Sequence, residues 1–156
     1  MTDNKEPYNI SRYKLGEFVT NISTLEFMLE WLIQCLMDTD SQTRKIVLVD
    51  MRFYDKIRLL ERLYHKNPNY EKKHVDSLVS KLDDIKQRRN KLLHSLWTVD
   101  IGREYTIEYY KRKNESITLK TEQITEQYLD ELIHDISFTL RLVSEHTKLN
   151  NKGVPF

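Results

Sequence analysis

From Leu15 to Leu36 the apolar residues recur at steps of three and four: Leu15, Phe18, Ile22, Leu25, Leu29, Leu32 and Leu36. A stripe with that period, unbroken over six turns, commits the segment to one long amphipathic helix. The spacing predicts a helix over residues 11–38, with Ser11 as its N-cap. Only three glycines and three prolines occur in 156 residues. So few breakers disfavour a sandwich of many tight turns and favour long helices.

Further along, TDSQ at 39–42 reads as a loop, and KIVLV at 45–49 is an apolar run too short for periodicity to classify. Asp50 is placed to cap a second helix ending near Lys66, with Phe53, Ile57, Leu60 and Tyr64 in one stripe. Proline and two asparagines in KNPNY, 66–70, favour a turn. A third helix is expected over 71–96, with Val75, Leu78, Leu82 and Ile85 inward. From Trp97 the period falls to two: Tyr105, Ile107 and Tyr109 alternate with Thr106, Glu108 and Tyr110, and Ile117 and Leu119 repeat the pattern. DIGR at 100–103 and KNES at 113–116 are turn candidates. The last helix is expected over 121–148, with Tyr128, Leu132, Ile136, Leu140 and Val143 inward and Glu122 and Glu126 in its first turns. The expected fold is mainly α: an antiparallel helical bundle of about four helices, with a small β-ribbon between the third and fourth. It forms one domain over 1–150, followed by a flexible tail over 151–156.

A single cysteine, Cys35, excludes an intrachain disulfide and any multi-cysteine zinc site, and it reads as a core thiol. His65, His74, His134 and His146 are dispersed, with no metal-ligand spacing; His134 and Asp135 read as solvated. No metal and no cofactor is expected. The amino end is polar and mixed in charge, unlike a signal peptide. An uncharged run such as WLIQCLM falls far short of the roughly 20 residues that span a bilayer. A cytoplasmic protein with no membrane partner is expected. The net charge of +1 hides a gradient: residues 1–40 carry −4, residues 41–120 carry +8 and residues 121–156 carry −3. A basic middle either faces phosphate or is neutralised by acidic helices packed beside it.

KQRRNKLLHSLW, residues 86–97, gathers four basic side chains, an amide and an imidazole. Arg89 falls in phase with the apolar stripe. At about 100° per residue, His94 stands roughly 140° round the helix from it, while Asn90 and His94 are four apart on one face. A guanidinium in the stripe needs a partner, because burying it alone is costly. Either Glu26 of the first helix ties to it, or it snorkels outward, or it receives a phosphate. The stretch YTIEYYKRK, with Lys111 and Arg112, mixes aromatic and basic groups; it either covers the core or stacks bases.

Arg89-Asn90-Lys91-Leu92-Leu93-His94 resembles the R-(polar)-x-x-x-H signature of the HEPN superfamily, small helical domains of prokaryotic defence and toxin–antitoxin systems. The likeness extends to a long first helix containing Leu25-Glu26, a second helix with Phe53, Lys56 and Ile57, and the Trp97 and ribbon after the motif. It covers about residues 11–148. The resemblance implies a metal-independent endoribonuclease, or an RNA- or protein-binding module of the same fold. It implies a homodimer in which two motifs share a cleft, and a cognate antitoxin or defence protein as partner. Carried over, His94 is the general acid or base, Arg89 holds the scissile phosphate and Asn90 orients the imidazole or the backbone. Lys86, Arg88, Lys91, Lys111 and Arg112 would contact RNA, with Glu26 and Trp97 as structural support. Some HEPN toxins place a tyrosine two residues after the histidine, where this chain has Leu96. Arg88 offers a competing R-x5-H register, so either arginine fits the motif.

Overall fold

The computed structural model describes residues 7–66, 70–99, 105–114 and 116–151. They form α1 (Pro7–Leu36), α2 (Ser41–Val49), α3 (Phe53–His65), α4 (Lys72–Leu93), β1 (Leu96–Val99), β2 (Tyr105–Lys113), β3 (Ser116–Ile124) and α5 (Glu126–Asn150). The fold is mainly helical, with five helices rather than about four. Between α4 and α5 lies a three-stranded antiparallel sheet in the order β1-β2-β3, in place of a plain ribbon.

The fifth helix is α2, which takes in the unclassified KIVLV run. Asp40 caps it: its carboxylate accepts from the backbone N–H of Gln42 at 3.0 Å and of Thr43 at 2.9 Å. Those bonds satisfy two of the orphan donors of a first turn, so the segment expected as a loop starts a helix instead. Only Leu48 of this helix is buried; Ile46, Val47 and Val49 are exposed. Asp50 ends α2 rather than starting α3, whose N-cap is Arg52. Other boundaries move too. α1 begins at Pro7, so Ser11 lies inside it; α4 stops at Leu93, and Leu96 opens β1. Residues 121–124, expected in the last helix, belong to β3, and Thr125 caps α5 by accepting from the Tyr128 N–H at 3.1 Å. The central residues of the KNPNY turn, the DIGR turn and the tail from 152 onward lie outside the described residues.

α1 packs against α5 and α3, and α4 packs against α3 and α5. The core is the expected stripe of each helix: Phe18, Ile22, Leu25, Leu29 and Leu32 of α1 meet Ile57 and Leu60 of α3, Leu78, Leu82 and Ile85 of α4, and Leu132, Ile136 and Val143 of α5. The alternation in β2 puts Ile107 inward, paired with Trp97 on one side and Glu122 on the other. Ile124 lies on the same inward face, while Tyr110, Ile117 and Leu119 are exposed on the outer one. Asn114 turns β2 into β3 at φ 55°, a left-handed conformation that asparagine tolerates better than most residues. Cys35 is buried, as its place among apolar neighbours suggests.

A candidate active site at the end of α4

α4 ends at Leu93 because His94 leaves helical geometry, at φ −110° and ψ 10°. Its backbone N–H still donates to the Asn90 carbonyl at 3.0 Å. The imidazole is thereby carried on a helix end instead of standing round the helix from Arg89. Arg89, Asn90 and His94 line one cavity of about 660 Å³, together with Glu26, Lys86 and the run Met51, Arg52, Phe53, Tyr54 and Asp55 from the α2–α3 corner. Three cationic and two acidic side chains share this wall. It therefore carries a positive excess.

Arg89 is three-quarters buried and held from two sides. Its Nη2 stands 3.3 Å from Oε1 of Glu26 on α1, an ion pair without hydrogen-bond alignment. Its Nη1 donates to Oδ1 of Asn90 at 3.0 Å. The buried Arg89 Nε and Glu26 Oε1 find no hydrogen-bond partner. This joins two expectations: Arg89 ties to Glu26, and it also faces the cavity. Asn90 gives its amide oxygen to Arg89 and its backbone carbonyl to the His94 N–H, and no hydrogen bond joins its side chain to the imidazole among the described residues. His94 is exposed, and its ring makes no hydrogen bond or ion pair among the described residues.

Lys86 lines the cavity while donating to Asp83 at 2.9 Å, with its ammonium 4.6 Å from the Tyr54 ring centroid. Burial alone would raise the Asp83 carboxyl; hydrogen bonds from Lys86 and Arg58 outweigh it and hold the group below its ordinary value.

The other expected RNA contacts point elsewhere. Arg88 faces α5, pairing with Asp84 and Asp135, each at 2.6 Å. Burial works against its charge, but the two carboxylates raise its pKa. Asp135, expected to be solvated, is thus half of a tie between helices. Lys91 pairs with Glu122 on β3, which also accepts from the Tyr109 hydroxyl. Those two bonds lower the Glu122 pKa, and the carboxylate, with some help from burial, pushes Tyr109 up to about 12. Lys111 and Arg112 are exposed on β2, and neither lines the cavity. Trp97 serves the core: its Nε1 donates to the Leu92 carbonyl at 2.7 Å, bracing the end of α4 under the sheet.

Sequence reasoning missed Met51, Arg52, Tyr54 and Asp55. They carry no motif, and only the tertiary contact of α3 with α4 brings them to the cavity. Among the described residues no group of three or more His, Cys, Asp or Glu side chains is arranged to hold a metal. None of the described helices is long and apolar enough to cross a membrane. A scan of family models finds no match to this chain, and searches of curated proteins and of solved structures find none either.

Proposed function

We propose that this chain is a HEPN-like, metal-independent endoribonuclease of a prokaryotic defence or toxin–antitoxin system, acting in the cytoplasm. The observation that carries the reading is the convergence of Arg89, Asn90 and His94 on one cation-rich cavity. RNA brings its own nucleophile, so such a site need only move protons and stabilise charge. His94 takes the proton from a ribose 2′-OH; the 2′-oxygen bonds to phosphorus and the bond from phosphorus to the 5′-oxygen breaks. That leaving oxygen takes up a proton from a second histidine or from water, and a 2′,3′-cyclic phosphate remains. Arg89, whose guanidinium fork suits phosphate geometry, neutralises charge on the non-bridging oxygens. The helices are not antiparallel throughout, because Lys14 near the start of α1 pairs with Asp130 near the start of α5. In this reading two chains pair with their α4 ends together, and an antitoxin or defence partner controls the site.

The test is cleavage of single-stranded or looped RNA in EDTA by the purified chain. Activity that survives EDTA, yields cyclic phosphate ends and disappears on 2′-O-methyl RNA supports the reading. Activity retained by His94→Ala removes it. A second reading, a non-catalytic module of the same fold that binds RNA or protein, draws support from the His94 ring, which has no orienting partner where a general base ordinarily has one. Binding of RNA without cleavage favours that module.

A further inference from the structure

The cavity is larger than a phosphate requires. Pockets of roughly 300–1,000 Å³ accommodate drug-sized ligands, and about 660 Å³ leaves room for a nucleotide beside Arg89 and His94. The α2–α3 corner supplies the remaining wall: Phe53 belongs to the core, while Arg52, Tyr54 and Asp55 reach solvent. Arg52 and Asp55 are exposed, opposite in charge and three residues apart, yet the side chain of neither makes a hydrogen bond or ion pair among the described residues. The charged groups around them behave otherwise: Arg58, Lys86, Arg88 and Lys91 are each paired with a carboxylate. Tyr54, a large aromatic, is 50% exposed, with the Lys86 ammonium and the Arg58 guanidinium fixing its ring at the cavity wall. Met51 and Phe53 extend the apolar surface.

We propose that this corner is a base subsite selecting an unpaired guanine. The base lies against Met51, Phe53 and Tyr54, the Asp55 carboxylate reads its edge, and Arg52 meets the neighbouring phosphate. The inference rests on the reading that the cavity takes RNA. Its specificity follows from donor counting. A carboxylate offers two acceptor oxygens and no donor. Guanine presents two adjacent donors, N1–H and N2–H, along its Watson–Crick edge; adenine and cytosine present one amine there and uracil one imino N–H. Only guanine engages both oxygens, through charge-assisted bonds. Because that edge is consumed in a duplex, the guanine must be single-stranded, as in most sequence-specific RNA recognition.

The test uses binding, separated from cleavage by 2′-O-methyl oligonucleotides that cannot supply the nucleophile. Four such strands, alike except for a central guanine, inosine, adenine or uracil, are titrated against the full chain by fluorescence anisotropy. Inosine lacks only the 2-amino group. The intact chain should bind the guanine strand about tenfold tighter than the inosine strand, the usual effect of one hydrogen bond to a charged group. Asp55→Asn, at an exposed position, should bind the two within about twofold of each other, and Tyr54→Ala should weaken all four strands by about fivefold or more. Arg52→Ala should reduce the slope of log affinity against log salt by about one. Equal binding of guanine and inosine strands by the intact chain overturns the subsite. So does a guanine preference that persists in Asp55→Asn, or a failure to bind any strand. On ordinary RNA the two ideas part: cleavage without base preference keeps the ribonuclease and removes the subsite, while guanine-selective binding without cleavage does the reverse.

Discussion

Arg88 and Arg89 are neighbours in sequence and reach opposite sides of α4. Nη2 of Arg88 lies 2.6 Å from Asp135 on α5, whereas Nη2 of Arg89 lies 3.3 Å from Glu26 on α1. Only the second faces the cavity with His94. Their divergence bears directly on which arginine belongs to the motif. Arg88→Ala should act on the fold, lowering stability by about 1–2 kcal/mol as a partly buried tie between helices is lost. It should cost less RNA cleavage than Arg89→Ala. Urea midpoints beside cleavage rates check both halves, and a larger cleavage loss in Arg88→Ala would shift the motif by one residue.

His94 has the opposite profile. Its ring is exposed and bonded to nothing described, so His94→Ala should melt within a degree or two of the parent chain while cleavage falls by about 10²-fold or more. Thermal melts and single-turnover rates on the same preparations are the measurement. A large drop in melting temperature would make His94 a packing residue.

Leu82 lies fully buried in the middle of α4. Leu82→Ala should cost about 2–5 kcal/mol, the transfer and cavity terms together. Chemical denaturation gives the value directly. A cost well under 1 kcal/mol would mean that the α4 stripe does not face the core.

At the other end of the molecule, the buried Tyr64 hydroxyl and Nδ1 of His146 share a hydrogen bond of 2.6 Å, with Tyr70 packed edge-on against Tyr64. Burial, and then nearby His74, hold the His146 pKa below its ordinary 6.5, with Glu145 opposing weakly. The unfolded chain therefore takes up a proton that the folded chain resists. The stability from neutral His146 is full above 6.5 and is lost as pH falls through the lower folded value. Urea midpoints should decline from about pH 7 to about pH 5, and His146→Gln should flatten that decline. An unchanged slope in the variant would assign the pH dependence to other groups.

Much of this architecture was legible from periodicity alone. The α1 stripe, the α4 stripe and the inward Ile107 needed nothing but spacing, because helices and strands bury faces at fixed intervals. α2 was not legible. Its apolar run shows no period, and what starts it as a helix is a pair of local bonds that the Gln42 and Thr43 backbone N–H groups donate to the Asp40 carboxylate. The end of α4 was misplaced because Leu96 continues the helical phase although the chain has already turned into β1. Within the site, Arg89, Asn90, His94 and Lys86 could be read from one short segment. Arg52, Tyr54 and Asp55 could not, since they join the cavity through the packing of α3 on α4. The separation of Arg88 from Arg89 depends on where Asp135 lies, and that is fixed by the packing of α5.

α1 makes its most extensive contact with α5, the first helix of the chain with the last. During synthesis, residues Phe18 to Leu32 emerge long before residues Leu129 to Val143, which must cover them. At about 5–20 residues per second, the apolar stripe of α1 waits several seconds for its principal partner. Closing that contact also closes a loop of 116 residues between Lys14 and Asp130, about three-quarters of the chain, which places folding toward the slower end for a helical domain. The interval is one in which a nascent chain exposes the apolar stripe of α1, although the cavity at the α4 end is lined only by α1, the α2–α3 corner and α4 and so takes none of its wall from the helix that arrives last.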